Sequence, residues 1–285
     1  MTDIAPIPTL AGPKILLEGP SGSGKTRAIG TLVDWAAAQS PPQPVFVLFT
    51  ENGLETLRGY WRDRGLPVPA NLHYHVIRTP AIPLSALLEG AKKVGMLSYE
   101  ALTKSIDPDR SSNNPWEKVL KVLTDFPDDR TGKKFGNIGT WPATHILVND
   151  SLSETANACV RMVIGNKPTT SQPDYGVAQN NLLNWLRYMT QSFAGTFVIT
   201  AHVQRQTNEV TGVTQLMTKA IGKALADEIP VLFSEVIYTV REGTSWYWDT
   251  AAANVDTKTR YLPIASKIKP DFAQIMDKWL ERAKD

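Results

Sequence analysis

The sequence predicts an α/β fold in which helices cover both faces of a mostly parallel sheet. Apolar runs that do not alternate with polar residues recur along the chain, at 14–18, 44–49, 144–150 and 196–201, and helical patterns separate them. Strands of this kind are buried on both faces, as they are in parallel sheets. A glycine-rich segment at 19–26 joins the first strand to the first helix, which is the usual context of a phosphate-binding loop.

The other elements follow in order along the chain, with one insertion and one polar stretch. A strand is predicted at 72–77, and a hairpin joins 235–241 to 245–250. Helical patterns are predicted over 24–39, 53–64 and 84–104, from about 153, over 177–193 and 221–232, and within 270–284. Residues 105–143 interrupt the alternation of strands and helices with a short helix and a turn-rich or hairpin segment. Residues 203–219 form a polar loop. We expect a single domain over 1–285, with an N-terminal extension at 1–12, an insertion at 105–143 and a C-terminal hairpin and helix over 234–285.

Composition and charge exclude several classes of protein. A hydrophobic share of 42% and a charged share of 20% are ordinary for a globular chain and exclude a disordered one. The single cysteine, Cys159, excludes an intramolecular disulfide framework and a cysteine-built zinc site, and it fits a reducing compartment. The first residues lack the layout of a signal peptide and no apolar run reaches about 20 residues, so we expect a cytoplasmic protein without a membrane partner.

The segment GPSGSGKT matches the phosphate-loop pattern GxxxxGK(S/T) in full. Its members, all predicted to contact a nucleotide, are Gly19, Pro20, Ser21, Gly22, Ser23, Gly24, Lys25 and Thr26. The glycines let successive backbone N–H groups point at phosphate oxygens beside the positive end of a helix. Lys25 is expected to reach the β- and γ-phosphates of ATP and Thr26 to ligate Mg²⁺.

Polar residues that follow other predicted strands supply candidate catalytic groups. Asp150 ends the strand at 144–150 and is the candidate second Mg²⁺ ligand, a role compatible with an N-cap at Asp150 or Ser151. Glu51 follows the strand at 44–49 and is the candidate base that polarises water, or alternatively a solvated acid at a helix start. His202 follows the strand at 196–201 and is either a γ-phosphate sensor or a capping or surface residue.

Four segments beyond the phosphate loop carry a closer resemblance. They are TENGLETLRGY, DDRTGKKFGNIGTW, ILVNDSLSE and KTRYLP. With the phosphate loop, they resemble the phage-encoded RecA-like ATPases of single-strand annealing and recombination, within the AAA/RecA superfamily. The resemblance covers most of residues 12–272 and implies a RecA-like P-loop core, ATP binding and hydrolysis, assembly into rings or filaments, and contact with single-stranded DNA.

The resemblance also implies roles for particular residues. Two loops, at 163–175 and 203–219, are expected to hold DNA through backbone contacts that do not read sequence, unless they are merely solvated. Further basic residues are expected to approach the ATP of a neighbouring subunit, or else to protect a strand edge. The DNA-binding candidates are Arg161, Lys167, Arg205 and Lys219; the trans-acting candidates are Lys258 and Arg260; and the adenine candidates are Glu55 and Arg58.

The expected function is that of a Mg²⁺- and ATP-dependent enzyme that binds single-stranded DNA in phage recombination or annealing. If the chain is phage-encoded, it acts in the cytoplasm of a bacterial host, where a single-strand DNA-binding protein is a further possible partner. Two alternatives use the same loop. One is a small-molecule kinase, and the other is a nucleotide-gated assembly or packaging component.

Overall fold

The computed structural model of the protein describes residues 10–78, 84–98, 100–101, 114–165, 170–207, 212 and 214–283. The strands are β1 (Lys14–Glu18), β2 (Val45–Phe49), β3 (Leu72–Val76), β4 (Ile146–Asp150), β5 (Thr196–Ala201), β6 (Val203–Thr207), β7 (Thr214–Thr218), β8 (Glu235–Glu242) and β9 (Ser245–Asp249). The helices are α1 (Lys25–Ala37), α2 (Leu54–Arg62), α3 (Leu84–Met96), α4 (Pro115–Thr124), α5 (Leu152–Ile164), α6 (Gln172–Arg187), α7 (Gly222–Glu228) and α8 (Ala273–Arg282).

Seven strands form the main sheet, in the order β3-β2-β4-β5-β1-β8-β9. Every neighbouring pair is parallel except β8 and β9, which form the predicted antiparallel C-terminal hairpin. This confirms the α/β class and the RecA-like arrangement predicted from the sequence. Because β1, β2, β4 and β5 run in the same direction, their carboxyl ends meet at one edge of the sheet.

Two hydrophobic clusters cover the two faces of this sheet. Alternate strand residues point to opposite faces, so Ile15 and Leu17 of β1 lie in one cluster and Leu16 in the other. Helices α1, α2 and α8 pack on the first face, and α4, α5, α6 and α7 pack on the second. The apolar residues of α1 at 29, 32, 33 and 36 follow the helical period, which is why one side of this helix is buried.

The described part of the insertion, residues 114–143, packs onto the sheet. Asn114 caps α4 by accepting a hydrogen bond from the Glu117 backbone N–H, and Pro115 occupies the first turn. The rings of Phe126 and Trp141 lie 5.3 and 4.1 Å from that of Phe46 on β2. This segment therefore covers the β2 side of the second cluster. Residues 105–113 lie outside the described part of the chain.

Several predicted elements differ from the observed ones. The polar stretch 203–219, predicted as a loop without strands, contains the antiparallel strands β6 and β7. It is held at its base because Met217 and Thr218 are buried against the body of the protein. Helix α6 begins at Gln172 instead of 177, since Ser171 and Asp174 form a capping box, and it passes into a π-helical turn at Tyr188–Ser192.

Within the described residues, no helix is long and apolar enough to cross a membrane. Cys159 is buried on α5, as expected of a helix residue in the core, and burial raises the pKa of its thiol.

Candidate active site

The phosphate loop lies between β1 and α1, at the edge of the sheet where the parallel strands end. Gly22 and Gly24 adopt φ angles of 75° and 89°, in the left-handed region that favours glycine. The Lys25 ammonium donates to the carbonyls of Gly19 and Pro20, both at 2.8 Å. Burial lowers the Lys25 pKa to about 8, although the nearby carboxylates of Asp150 and Glu51 act in the opposite direction. A phosphate oxygen in the loop would meet this ammonium and replace a carbonyl as its partner.

Thr26 and Asp150, the two predicted metal ligands, contact each other beside the loop. The Thr26 hydroxyl donates to Asp150 Oδ2 at 2.9 Å, and Thr200 on β5 donates to Oδ1. Burial raises the pKa of Asp150, so a cation here would favour its ionised form. A hydroxyl and one carboxylate are the kind of protein oxygens that hold Mg²⁺ together with substrate phosphates. These two side chains therefore fit the expected metal.

Gly53 leaves room for the Asp150 carboxylate. A Cβ at Gly53 would lie 2.3 Å from Asp150 Oδ2 and 2.9 Å from the Phe49 ring. Its φ of −85° is open to any residue, so space and not backbone conformation requires glycine here.

Glu51 follows β2 and faces both Ser151 and His202. The Ser151 hydroxyl donates to Glu51 Oε1, while Glu51 Oε2 lies 3.4 Å from His202 Nε2. The hydrogen bond with His202 lowers the pKa of Glu51. Glu51 is thus held as a carboxylate, the form that accepts a hydrogen bond from water. His202 in turn is fixed through its backbone, whose N–H donates to Ser153 at 3.2 Å and whose carbonyl accepts from Lys219 at 2.7 Å.

One cavity of about 290 Å³ unites these groups. Of the residues predicted from the sequence, it is lined by Ser21, Gly22, Ser23, Gly24, Lys25, Thr26, Glu51, Asp150 and His202. Sequence reasoning missed Thr56 and Thr200 as lining residues. Thr200 lies on β5, two positions before His202, and the two-residue period of a strand puts both side chains on the same side. That period was the signal that could have identified Thr200.

The predicted adenine contacts Glu55 and Arg58 lie outside this cavity. Arg58 donates to the Tyr74 hydroxyl at 2.6 Å and stacks over its ring, and the Glu55 carboxylate lies 3.7 Å from Arg58 on the exposed side of α2. The helical turn explains the difference, because it directs Thr56 and not its neighbour Glu55 into the cavity.

The predicted trans-acting residues lie beside β8, on the far side of β1 from Glu51. Lys258 pairs with Val236 through both backbone hydrogen bonds, at 2.7 and 3.0 Å. The Arg260 backbone N–H donates to the buried Glu235 carboxylate at 2.6 Å. Both side chains belong to a segment that borders β8, and they do not line the cavity of their own chain.

Three predicted DNA-binding residues are exposed. Arg205 is on β6, Lys219 follows β7, and Arg161 is in the last turn of α5. Lys167 lies outside the described residues, so the structure does not place it.

A phosphate loop whose lysine and threonine lie beside a carboxylate at the end of a parallel strand defines a P-loop NTPase. The chain belongs to a family of AAA domains, since the model of that family matches residues 85–262. The matched segment contains Asp150, His202, Lys258 and Arg260, whereas the phosphate loop precedes it. Membership in this class implies nucleotide binding.

Solved structures similar to the chain include that of a KaiC-like protein from the hyperthermophilic archaeon Pyrococcus horikoshii OT3. The two share 12% sequence identity with a TM-score of 0.39, over 90% of this chain and 84% of that chain. No curated protein matches the chain.

Proposed function

We propose that the protein hydrolyses ATP with Mg²⁺ and couples hydrolysis to single-stranded DNA in phage recombination or annealing. The observation that carries the proposal is the convergence of Lys25, Thr26, Asp150, Glu51 and His202 on one cavity. These residues supply a phosphate cradle, two metal ligands, a carboxylate for water and a group that senses the terminal phosphate.

In the proposed reaction, a water oxygen attacks the γ-phosphorus of ATP. The bond from that phosphorus to the β,γ-bridging oxygen breaks, and the products are ADP and inorganic phosphate. Glu51 orients the water and accepts its proton. A carboxylate with a lowered pKa suits this task, because the transition state of phosphoryl transfer is loose and positioning matters more than basicity.

Charge stabilisation comes from the residues around the phosphates. Lys25 would contact the β- and γ-phosphates, and Thr26 and Asp150 would hold Mg²⁺, which would supply positive charge beside the phosphate oxygens. We assign Lys258 and Arg260 to the ATP of a neighbouring subunit, which requires self-association into a ring or filament. Their position outside the cavity of their own chain supports this assignment.

The coupling to DNA runs from Glu51 through His202 to the β6–β7 hairpin. His202 contacts Glu51 with its ring, and its backbone carbonyl accepts from Lys219 directly after β7. If the γ-phosphate of ATP changes the Glu51–His202 contact, the change reaches the base of the β6–β7 hairpin. Arg205 is exposed on this hairpin. Arg205, Lys219, Arg161 and Lys167 would contact the DNA backbone by charge, without reading bases.

Steady-state ATP hydrolysis, with and without single-stranded DNA at low and moderate salt, tests the proposal. Lys25→Ala serves as the blank. We expect DNA to stimulate the wild type, and stimulation to weaken as salt rises, because phosphate contacts release counterions. The double variant Arg205→Ala/Lys219→Ala should keep basal hydrolysis and lose most of the stimulation.

Lys133→Ala/Lys134→Ala is the matched control, because it removes two exposed charges from the insertion and should leave stimulation intact. Hydrolysis that ignores DNA would contradict the coupling. If the rate of ATP hydrolysis rises with a small metabolite instead, the small-molecule kinase is favoured. ATP-dependent oligomerisation without DNA affinity would favour the assembly component.

A further inference from the structure

A second cavity, of about 520 Å³, adjoins the phosphate site and is lined in part by α1. The two cavities share Gly24 and Arg27, the residues that flank the lysine and threonine of the phosphate loop. A molecule that fills the phosphate cavity and extends past Arg27 therefore enters the second cavity. The walls of this cavity include Tyr60 of α2 and Trp246 of β9.

The order of the strands sets the direction in which a nucleotide would lie. Glu51 follows β2 and Asp150 ends β4, both on one side of β1, whereas β8 and β9 lie on the other side. If the terminal phosphate faces Glu51, the nucleoside end points toward the β8–β9 hairpin. Trp246 on that hairpin is held over the loop, since its indole N–H donates to the Gly22 carbonyl at 3.1 Å.

The second cavity accepts a flat, delocalised group. The Arg27 guanidinium lies 5.7 Å from the centre of the Tyr60 ring and 5.4 Å from that of Trp246. Planar guanidinium groups and nucleobases both stack on aromatic faces. A base can stack on Trp246 beside or in place of Arg27, which also has Asp63 as a partner at 3.0 Å.

The polar residues of this cavity are already engaged with one another. Asp34 accepts hydrogen bonds from Tyr60, Trp61 and Arg64, and Asp271 contacts Lys269 at 2.9 Å. What remains for a ligand is mainly aromatic and aliphatic surface. Such a site holds a base by stacking, and stacking discriminates weakly between bases because each base has a π-face.

We propose that this cavity is the nucleobase site of the protein, with Trp246 as the stacking platform. The inference rests on the proposed function, because it needs a polyphosphate in the loop, and it replaces Glu55 and Arg58 as the base contacts. It also extends that function, since adenine and guanine nucleotides should bind with similar affinity.

Isothermal titration with ADP, GDP and inorganic pyrophosphate, each with Mg²⁺, tests the proposal without turnover. Trp246→Ala should weaken ADP and GDP binding about tenfold to a hundredfold and leave pyrophosphate within about twofold. Trp246→Phe keeps a ring but removes the N–H bonded to Gly22, so it should stay within a few-fold of the wild type. Tyr247→Ala, next on β9 but outside the cavity, and Arg58→Ala are the controls and should change nothing.

The outcomes separate this inference from the proposed function. If the wild type binds neither ADP nor pyrophosphate, the proposed function fails. If it binds both equally, or if Trp246→Ala weakens both by the same factor, the phosphate site stands and the nucleobase site is wrong. If Arg58→Ala alone lowers the affinity for ADP, the base binds at the α2 surface beside Arg58 and not on Trp246.

Discussion

At the scale of single residues, Glu51 is the group on which turnover depends. Glu51→Gln keeps the shape of the side chain but removes the charge that orients and deprotonates water. We expect ATP binding to stay near the wild-type level and the turnover number to fall by about 10²- to 10⁴-fold. Nucleotide titration and steady-state hydrolysis measure the two effects.

Glu55→Gln is the matched control, because this carboxyl is four positions further along the chain, on the solvent side of α2. It should hydrolyse ATP at the wild-type rate. Full activity in Glu51→Gln would remove the base assignment.

Gly53 offers a second test at this scale. Gly53→Ala puts a methyl group 2.3 Å from Asp150 Oδ2, so the carboxylate has to move away from Thr26. We expect at least a tenfold loss of Mg²⁺-dependent hydrolysis, because displacement of a metal ligand disturbs the positioning of the phosphates.

Gly59→Ala within α2, the helix for which Gly53 is the N-cap, is the control. The nearest atom to its new methyl group is the end of the flexible Arg62 side chain, at 3.4 Å. This change should keep activity and stabilise the helix by about 0.5–1 kcal/mol. Equal activity in the two alanine variants would show that Asp150 does not need its present position.

At the scale of elements, the β6–β7 hairpin is tied to the phosphate-loop strand by one buried hydrogen bond. The Thr218 hydroxyl donates to Glu18 Oε2 at 2.6 Å, and both residues are buried. Thr218→Val keeps the shape but removes the donor, which leaves a buried polar group without its partner and costs about 1–3 kcal/mol. Urea unfolding should report this loss, and limited proteolysis should cut the hairpin faster.

Thr214→Val removes a hydroxyl at the exposed end of the same hairpin, where it contacts Thr207 at 3.0 Å. Its stability should stay within about 0.5 kcal/mol of the wild type. If the two valine variants unfold alike, the Glu18 contact does not hold the hairpin.

At the scale of the whole molecule, two buried charged groups on β1 shape the dependence of stability on pH. Burial raises the pKa of Glu18 to about 7; the hydrogen bond from Thr218 and the charge of Lys25 lower it, and the charge of Asp256 raises it. The folded state therefore binds more protons than the unfolded state between pH 4.5 and 7, and the free energy of unfolding falls as pH rises through this window. Burial lowers the pKa of Lys14 to about 7, so stability rises again between pH 7 and 10.5.

Urea unfolding at pH 5, 7 and 9 checks this minimum, whose depth we expect to be on the order of a few kcal/mol. In Glu18→Gln, the free energy of unfolding should change little between pH 5 and 7, the acid limb of the curve. In Lys14→Met, its rise between pH 7 and 9 should be smaller but not absent, because Lys25, with a pKa of about 8, also contributes to that rise. An unchanged acid limb in Glu18→Gln would assign that limb to other groups.

The extent of sequence-based prediction differs between the fold and the site. Strands β1 and β5 and the phosphate loop were predicted residue by residue, because unalternating apolar runs and a complete loop pattern are local signals. Asp150, Glu51 and His202 were found because parallel strands bring their carboxyl ends to one edge. The two strands within the polar loop at 203–219 were not predicted, since a polar hairpin lacks the apolar alternation that marks a strand.

The sequence by itself determined the α/β class, the phosphate loop and the chemical types of the groups around it, because each depends on neighbours within a few positions. The tertiary structure alone decided which residues of α2 line the cavity beside the phosphate loop and that Trp246 lies against Gly24, 222 positions away in the chain. Contacts over such distances depend on the order in which strands join the sheet, and no local pattern encodes that order.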